Sequence, residues 1–305
     1  MNAAPEKQPV QHRAAAPEKV LIGLIGSGIG LSMSPALHED EARHHGLRLH
    51  YQLIDLDRTN AGVEMLPTLI NAARAIGFAG LNITYPCKQA VIPLLDGLSD
   101  EARAMGAVNT VVNRNGQMIG HNTDGSGWAW GLKRALPAAD LGRVVLLGAG
   151  GAGSAIAHAA LRMGAGALLV VDSDADRAAG LASSLNALDG AGRARASRDA
   201  AGAMAGATGL IHATPTGMAK LPGLPLPESL LRPDMWISEV VYFPLETALL
   251  TAARRIGCAT MDGGHMNVGQ AVDAFRLFTG REPDPVRMDA HFRRIINPSA
   301  SRAHA

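Results

Sequence analysis

The 305-residue sequence has only two cysteines, Cys87 and Cys258, too few for a disulfide framework, and no Cys/His spacing of the zinc-finger kind. A reducing compartment is expected, and the cytoplasm is the simplest address. Aromatic residues reach only 4%, which weakens any stacking platform for single-stranded nucleic acid. Charge of neither sign is in surplus: 28 Lys+Arg stand against 27 Asp+Glu, a formal net charge of +1. Nucleic acid and anionic membrane surfaces both call for basic clusters, so neither is an expected partner. No run of about 18 apolar residues occurs, and no apolar stretch near Met1 suits a signal peptide. Residues 1–18, with Ala, Pro, Gln and scattered charges, read as a disordered tail.

What the chain has is apolar residues and glycine. A hydrophobic fraction of 47% over this length supports a large core in two domains. The 35 glycines and 17 prolines exceed average usage and imply many tight turns, but the glycines are unevenly spread.

Short aliphatic runs alternate with Ala/Leu-rich helical stretches, the pattern of strand–helix–strand units and a largely parallel sheet. Strands are expected at Val20–Gly26, Tyr51–Asp57, Gly80–Thr84, Val108–Asn113, Val144–Leu147, Leu168–Asp172, Gly209–Ala213 and Trp236–Tyr242. Helices are expected at Pro35–His45, Val63–Ile76, Gly125–Leu136, Ala152–Met163 and Thr247–Ile256, each ended by Gly or Pro. The pattern restarts near Asp140–Arg143. Two further helices, Asn267–Thr279 and Asp284–Ile296, have no strand of their own and must pack on something already built. The fold expected is α/β with two domains: an N-terminal open α/β substrate domain (19–124 plus 262–305) and a Rossmann dinucleotide-binding domain (125–261). The C-terminal helices return to the first.

Val144-Val145-Leu146-Leu147 runs into Gly148-Ala149-Gly150-Gly151-Ala152-Gly153, followed by a helix. This is GxGxxG between a strand and a helix, with Gly148 for the turn, Gly150 admitting a pyrophosphate and Gly153 letting helix approach strand. Exposed N–H groups and the positive helix end would hold the diphosphate. The next strand ends at Asp172, at about the 20-residue offset where an acid hydrogen-bonds the adenosine ribose hydroxyls. Asp172 and Asp174 would repel a 2′-phosphate, which favours NAD over NADP. The alternative is that Asp172 merely caps the following helix. Arg177 would stack on the adenine or offset a 2′-phosphate, which keeps dual use open.

In the first domain, Gly80–Lys88 is a strand running into a Pro-bounded turn, placing Lys88 at the carboxyl edge of the sheet, where ligands bind in open α/β sheets. Gly106–Thr110 and Gly120–Gly125 bracket a hairpin-like pair and present Asn109 and Asp124. A lysine beside a carboxylate can exchange a proton with an alcohol while a nicotinamide takes the hydride. Each alone reads more readily as a surface charge than as a catalyst.

The strings LSMSPALH (31–38), GLNITYPCK (80–88), GAVNT (106–110), HNTDG (121–125), GAGGAG (148–153) and GQAVDAFRLFTG (269–280) resemble the shikimate dehydrogenase family, in the right order from about Val20 to Arg294. With Asp172 where NADP-dependent members usually carry an Asn-Arg-Thr-type motif, the chain looks most like the NAD-dependent quinate/shikimate dehydrogenase branch. The resemblance implies that Lys88 and Asp124 are the catalytic pair. Ser32 and Ser34 would bond the substrate carboxylate, and Asn82, Thr84, Asn109 and Gln270 the ring hydroxyls. Thr214, Gly217, Met218, Val240, Tyr242 and Gly263 would surround the nicotinamide end, with Tyr242 also facing the substrate. It further implies a small polyhydroxy carboxylic acid as substrate, quinate or shikimate, oxidised at its C3 hydroxyl, and a monomer or homodimer. Two departures stand out: Gly264-His265-Met266-Asn267 replaces the usual glycine-methionine-leucine stretch before Gln270, and Ser34 stands where some quinate-using relatives carry Thr. Competing readings are an NADP-linked biosynthetic shikimate dehydrogenase, a dinucleotide-binding regulator without turnover, and a methylenetetrahydrofolate dehydrogenase.

Other groups invite weaker readings. His38, Glu41 and His45 share a helical face, but the polar string HEDEARHH (38–45) is expected to be a solvated helix rather than a metal site. Cys87 is expected to pack rather than react. Trp128 and Trp130, on opposite sides of one helix, are expected to wedge between the domains.

Overall fold

The structure is a computed structural model that describes residues 17–296. Of the tail expected at 1–18, only Pro17 and Glu18 fall within it; His12 and His304 lie outside the described residues.

Two six-stranded sheets are formed. The first contains β1 (Lys19–Gly26), β2 (Arg48–Asp55), β3 (Gly80–Ile83), β4 (Gly97–Leu98), β5 (Thr110–Arg114) and β6 (Gln117–His121), in the order β2-β1-β3-β5-β6-β4. Strand β1 is parallel to β2 and β3, whereas β5 is antiparallel to both β3 and β6. The second contains β7 (Arg143–Leu147), β8 (Ala167–Val171), β9 (Ala194–Ser197), β10 (Gly209–His212), β11 (Trp236–Glu239) and β12 (Ala259–Met261), in the order β12-β11-β10-β7-β8-β9. It is parallel throughout. Its winding reverses between β7 and β10, and the crevice at such a reversal is where open parallel sheets take ligands.

The central strands are legible because both their faces are covered. Every residue of β3, β10 and β11 is buried, as are Val144 to Leu147 of β7, and such strands read as unbroken apolar runs. Three strands depart from expectation by two residues or more. Strand β2 starts at Arg48 and pairs with β1 over its whole length. Strand β5 is Thr110–Arg114, one residue or two further on than expected. Strand β11 stops at Glu239, whose carboxylate accepts the N–H groups of Val240 (2.8 Å) and Val241 (3.0 Å) and turns the chain out of the sheet. Strands β4, β9 and β12 went unanticipated. All three are short edge strands: β4 has only two residues, and β9 exposes Arg195 and Ala196 between buried Ala194 and half-buried Ser197, too weak an apolar signal to read.

The helix Gly263–Thr279 returns to the first sheet, burying Phe275 and Phe278 with Val20, Ile22, Leu24 and Val112. On the way it crosses helix Asp124–Ala135 with no side chain between the two backbones. A Cβ on Gly127 would stand 2.4 Å from the Gln270 nitrogen, and one on Gly269 would stand 2.5 Å from the Gly127 carbonyl. Trp128, fully buried, donates its indole N–H to Ser238 Oγ of β11 at 3.0 Å and ties the same helix to the second sheet. Trp130 lies on the other side, against Arg134.

The final helix, Pro285–Ile296, covers helix Ser34–His44, and this overturns the solvated reading of 38–45. His38 is fully buried beside Tyr51, Phe275 and Phe278, and burial pushes its imidazole down to about 3. Glu41, also buried, accepts from Arg287 at 2.6 and 2.8 Å and from the Asp284 N–H at 2.8 Å, and pairs with His45. The string looked solvated because its covering partner lies some 240 residues further along the chain. Among the described residues no helix is long and apolar enough to cross a membrane.

Candidate active site

The chain leaves β3 at Ile83, and Thr84 to Lys88 form the turn that delivers Lys88 to the carboxyl edge of the first sheet. After β6, Asn122 and Thr123 lead into helix Asp124–Ala135, which begins with the candidate base itself. Lys88 Nζ and Asp124 Oδ2 form an ion pair, with the lysine one-fifth exposed and the aspartate nearly covered. Neighbouring amides fix the aspartate. Asn109 Nδ2 donates to Asp124 Oδ1 at 2.9 Å, and the Asp124 N–H donates to Asn122 Oδ1 at 3.0 Å. Asn122 in turn donates to the Ala107 carbonyl at 3.0 Å.

Behind this pair runs a continuous polar network. Asn109 Oδ1 accepts from the Thr123 N–H (2.8 Å) and from the Thr110 hydroxyl (3.0 Å). Thr110 Oγ1 accepts from Asn82 Nδ2 at 3.1 Å, and Asn82 Oδ1 accepts from the Tyr51 hydroxyl at 2.8 Å. Ser34 lies beside the same tyrosine, whose hydroxyl burial pushes well above the usual phenol range. Ser32 Oγ accepts the Ser34 N–H at 3.3 Å. Thus Ser32, Ser34, Asn82, Asn109, Lys88 and Asp124, drawn from five separate stretches of sequence, belong to one connected set. Tyr51 at its centre was not singled out from the sequence, where it is one apolar position of an alternating strand.

Other expected residues stand less directly in this set. Thr84 lies half-buried beside Gly26, its methyl where a Cβ on Gly26 would fall. Gln270 turns its amide to the Asn267 carbonyl of its own helix at 3.0 Å. Tyr242 is half-buried beside Leu37 and Val268, and burial raises its hydroxyl. Cys87 is buried and its thiol is pushed up to about 11, which fits packing and not nucleophilic attack.

Across the cleft, Gly148 follows β7 with φ +99°, and a Cβ there would stand 2.6 Å from the Ala213 carbonyl. A Cβ on Gly153 would meet the Gly148 carbonyl at 1.9 Å, so the helix Gly151–Arg162 starts in backbone contact with the turn. Around Gly150, by contrast, the space is open: nothing lies within 4 Å of where its Cβ would be. A closed turn, an open middle glycine and a helix N-terminus, with Ala149, Gly151 and Ala152 completing the curve, fit a dinucleotide diphosphate. Lys88 reaches this loop, with its Cδ 3.7 Å from the position of a Cβ on Gly151.

Asp172 follows β8. It accepts the Ala149 N–H at 2.7 Å and the Asp174 N–H at 2.9 Å. Burial pushes its carboxyl up, but these N–H groups and the Arg177 guanidinium outweigh it and hold it below its ordinary value. It does not cap helix Ala175–Asp189: Asp174 does, accepting the Asp176 and Arg177 N–H groups. Arg177 sits 3.6 Å from Asp172 and 3.3 Å from Asp174, paired with both acids.

Thr214 follows β10 and packs its methyl against Gly148, within 3.1 Å of where a Cβ would be. Gly217 (φ +98°) and exposed Met218 continue that turn, closed by a bridge from Met218 to Leu221. Val240 presents its carbonyl to Gly263, where a Cβ would stand 2.5 Å away. His265, at the sequence departure noted above, donates Nδ1–H to Asp262 (3.2 Å) and accepts from Arg293 at Nε2 (3.3 Å), while Arg293 also donates to Asp262 (2.7 Å) and fastens the final helix beside Gly263.

The family described as shikimate dehydrogenase substrate binding domain matches residues 24–111. A shikimate dehydrogenase (NADP(+)) of Streptomyces avermitilis is 58% identical over 287 residues, covering 93% of this chain and 99% of that protein. A quinate/shikimate dehydrogenase (NAD(+)) of Corynebacterium glutamicum is 49% identical, over 90% of this chain and 98% of that one. Among solved structures, the quinate dehydrogenase from Corynebacterium glutamicum in complex with NAD superposes with a TM-score of 0.86 at 47% identity, covering 90% of this chain and 99% of that one.

Proposed function

The chain belongs to the shikimate dehydrogenase family, and from that premise we propose that it reversibly oxidises the C3 hydroxyl of quinate or shikimate with NAD as the electron acceptor. The observation that carries this reading is the Lys88–Asp124 pair, set at the edge of the first sheet with the lysine stem against the glycine loop of the second.

A bound nicotinamide supplies the two-electron acceptor that takes hydride from the carbinol carbon. The protein's part is the proton and the position. Lys88 and Asp124 take up the hydroxyl proton as that hydride leaves, and return it in the reverse direction. Asn109 and Asn122 orient Asp124 through bonds to its Oδ1 and to its N–H. Ser32 and Ser34 receive the substrate carboxylate at the start of helix Ser34–His44, while Asn82, Thr84 and Gln270 hold ring hydroxyls beside Tyr242. Gly150, Gly151 and Ala152 offer backbone N–H groups to the diphosphate, Ala149 shapes the loop by giving its N–H to Asp172, and Thr214, Gly217, Met218, Val240 and Gly263 line the remainder of the cofactor site.

Preference for NAD rests on Asp172 and Arg177. The acid stands where ribose hydroxyls are read, and the arginine is engaged by two carboxylates. A second reading, an NADP-linked shikimate dehydrogenase, is favoured by the cofactor in the name of the Streptomyces relative. The test is an initial-rate grid of quinate and shikimate against NAD and NADP. The proposal expects the highest kcat/KM in an NAD column; a dominant NADP column with shikimate alone establishes the second reading, and no rate in any cell refutes both.

A further inference from the structure

The second sheet holds a pair of ionisable side chains that the reaction above leaves unused. His212, at the end of β10, and Glu239, at the end of β11, are both fully buried. A carboxylate so placed must be met by donors. Glu239 receives the Val240 and Val241 N–H groups, the Thr247 hydroxyl at 3.0 Å, and His212 Nδ1 at 2.9 and 3.1 Å. Since the carboxylate only accepts, Nδ1 carries the hydrogen, and in the neutral imidazole Nε2 is left as an acceptor. The Thr214 hydroxyl lies 2.5 Å from that nitrogen. Its oxygen also accepts the Thr216 N–H at 3.3 Å, while its methyl packs on Gly148.

This chain of bonds has a direction. With a neutral imidazole the Thr214 hydroxyl donates to His212 Nε2, and its oxygen, having accepted the Thr216 N–H, keeps one lone pair for a further donor. We propose that His212 is a positioning residue: anchored by Glu239, it fixes the Thr214 hydroxyl as a hydrogen-bond acceptor on the wall of the dinucleotide cleft. The proposal rests on the reading of that cleft as a nicotinamide dinucleotide site. Glu239 steadies the same turn from beneath, its Oε2 and Thr247 lying 4.0 and 3.5 Å from where a Cβ on Gly217 would stand.

Asparagine places its amide near the imidazole Nδ1 position but does not reach the Nε2 position. His212→Asn therefore keeps a donor for Glu239 and removes the acceptor from Thr214. The experiment measures binding of the reduced dinucleotide, NADH or NADPH, whichever the unaltered full-length chain binds more tightly, by fluorescence titration without substrate. Loss of one hydrogen bond is expected to raise Kd about three- to tenfold in His212→Asn and in Thr214→Val. The double variant is expected to be no weaker than the worse single variant, and Thr214→Ser, which keeps the hydroxyl, to bind within twofold of the unaltered chain. In turnover, KM for the oxidised dinucleotide rises by the same factor while kcat changes less than twofold. Unchanged Kd in His212→Asn, or single effects that multiply in the double variant, overturns the proposal. Should His212→Asn fail to fold, Thr214→Val against Thr214→Ser decides it: equal Kd values refute it. A chain that binds the dinucleotide but oxidises neither quinate nor shikimate refutes the substrate reading and leaves this one standing.

Discussion

The carboxylate of Asp172 accepts the Ala149 N–H at 2.7 Å, so the acid that follows β8 also holds the glycine loop that follows β7. On the proposed reading of Asp172 as the ribose-binding acid, cofactor choice and loop shape are coupled through one side chain. Asp172→Ala is expected to lower the NAD-to-NADP ratio of kcat/KM about tenfold or more, the size of a lost charged hydrogen bond, and to weaken both dinucleotides through the loosened loop. Initial rates with each cofactor check this; an unchanged ratio removes Asp172 from cofactor selection.

Lys88→Ala is expected to lower kcat about 10²- to 10⁴-fold, the range for a lost general acid or base, with a smaller change in substrate KM. Asp124→Asn should fall in the same range, and the double variant should be little worse than either, because the two act as a unit. Steady-state kinetics with quinate and shikimate decide it, and near-normal kcat in Lys88→Ala would remove it from the mechanism.

Tyr51→Phe deletes the hydroxyl that bonds Asn82 at 2.8 Å and leaves a buried acceptor without its donor. The expected cost is about 1–3 kcal/mol of stability, together with a rise in substrate KM as Asn82 loosens. Chemical denaturation and KM measured on one preparation test both halves.

His38 makes the fold sensitive to acid. Its folded pKa, about 3, lies below the ordinary 6.5, so on acidification the unfolded chain takes up a proton that the folded chain refuses. Stability present above pH 6.5 is lost as pH falls toward 3, at a slope approaching about 1.4 kcal/mol per pH unit. Glu41 and Asp262, held below their ordinary values despite burial, add their losses at lower pH. Denaturant midpoints measured from pH 7 to 5 should fall more steeply for the unaltered chain than for His38→Phe; parallel curves would show that His38 is not the group responsible.

The helix crossing sets two effects against each other. In a helix, alanine is favoured over glycine by about 1 kcal/mol. At Gly127, however, its Cβ would lie 2.4 Å from the Gln270 nitrogen, and overpacking costs about 1–3 kcal/mol. Gly127→Ala is therefore expected to lower Tm and kcat together, and a raised Tm would show that the crossing yields.

What could be read from the sequence follows from what each signal depends on. The glycine loop and Asp172 were legible because a strand, three glycines and an acid at a set offset are local in sequence. Lys88 and Asp124, 36 residues apart, were legible to chemistry only as a possible pair. Tyr51 was missed because its meaning lies in Asn82, 31 residues away on the neighbouring strand but one. His38 and Glu41 were misread because a polar string reports what its residues are and not what later covers them; Arg287 and Phe275 do the covering. Strands β4, β9 and β12 escaped because an edge position asks for little apolar character.

The contact between the Lys88 stem and Gly151 has a further consequence. Lys88 belongs to one sheet and the loop it rests on belongs to the other, so on the proposed reading the reaction has no home in either half of the chain. Each half expressed separately would be catalytically inert, and recombination of the two would restore turnover only to the extent that they meet at this seam.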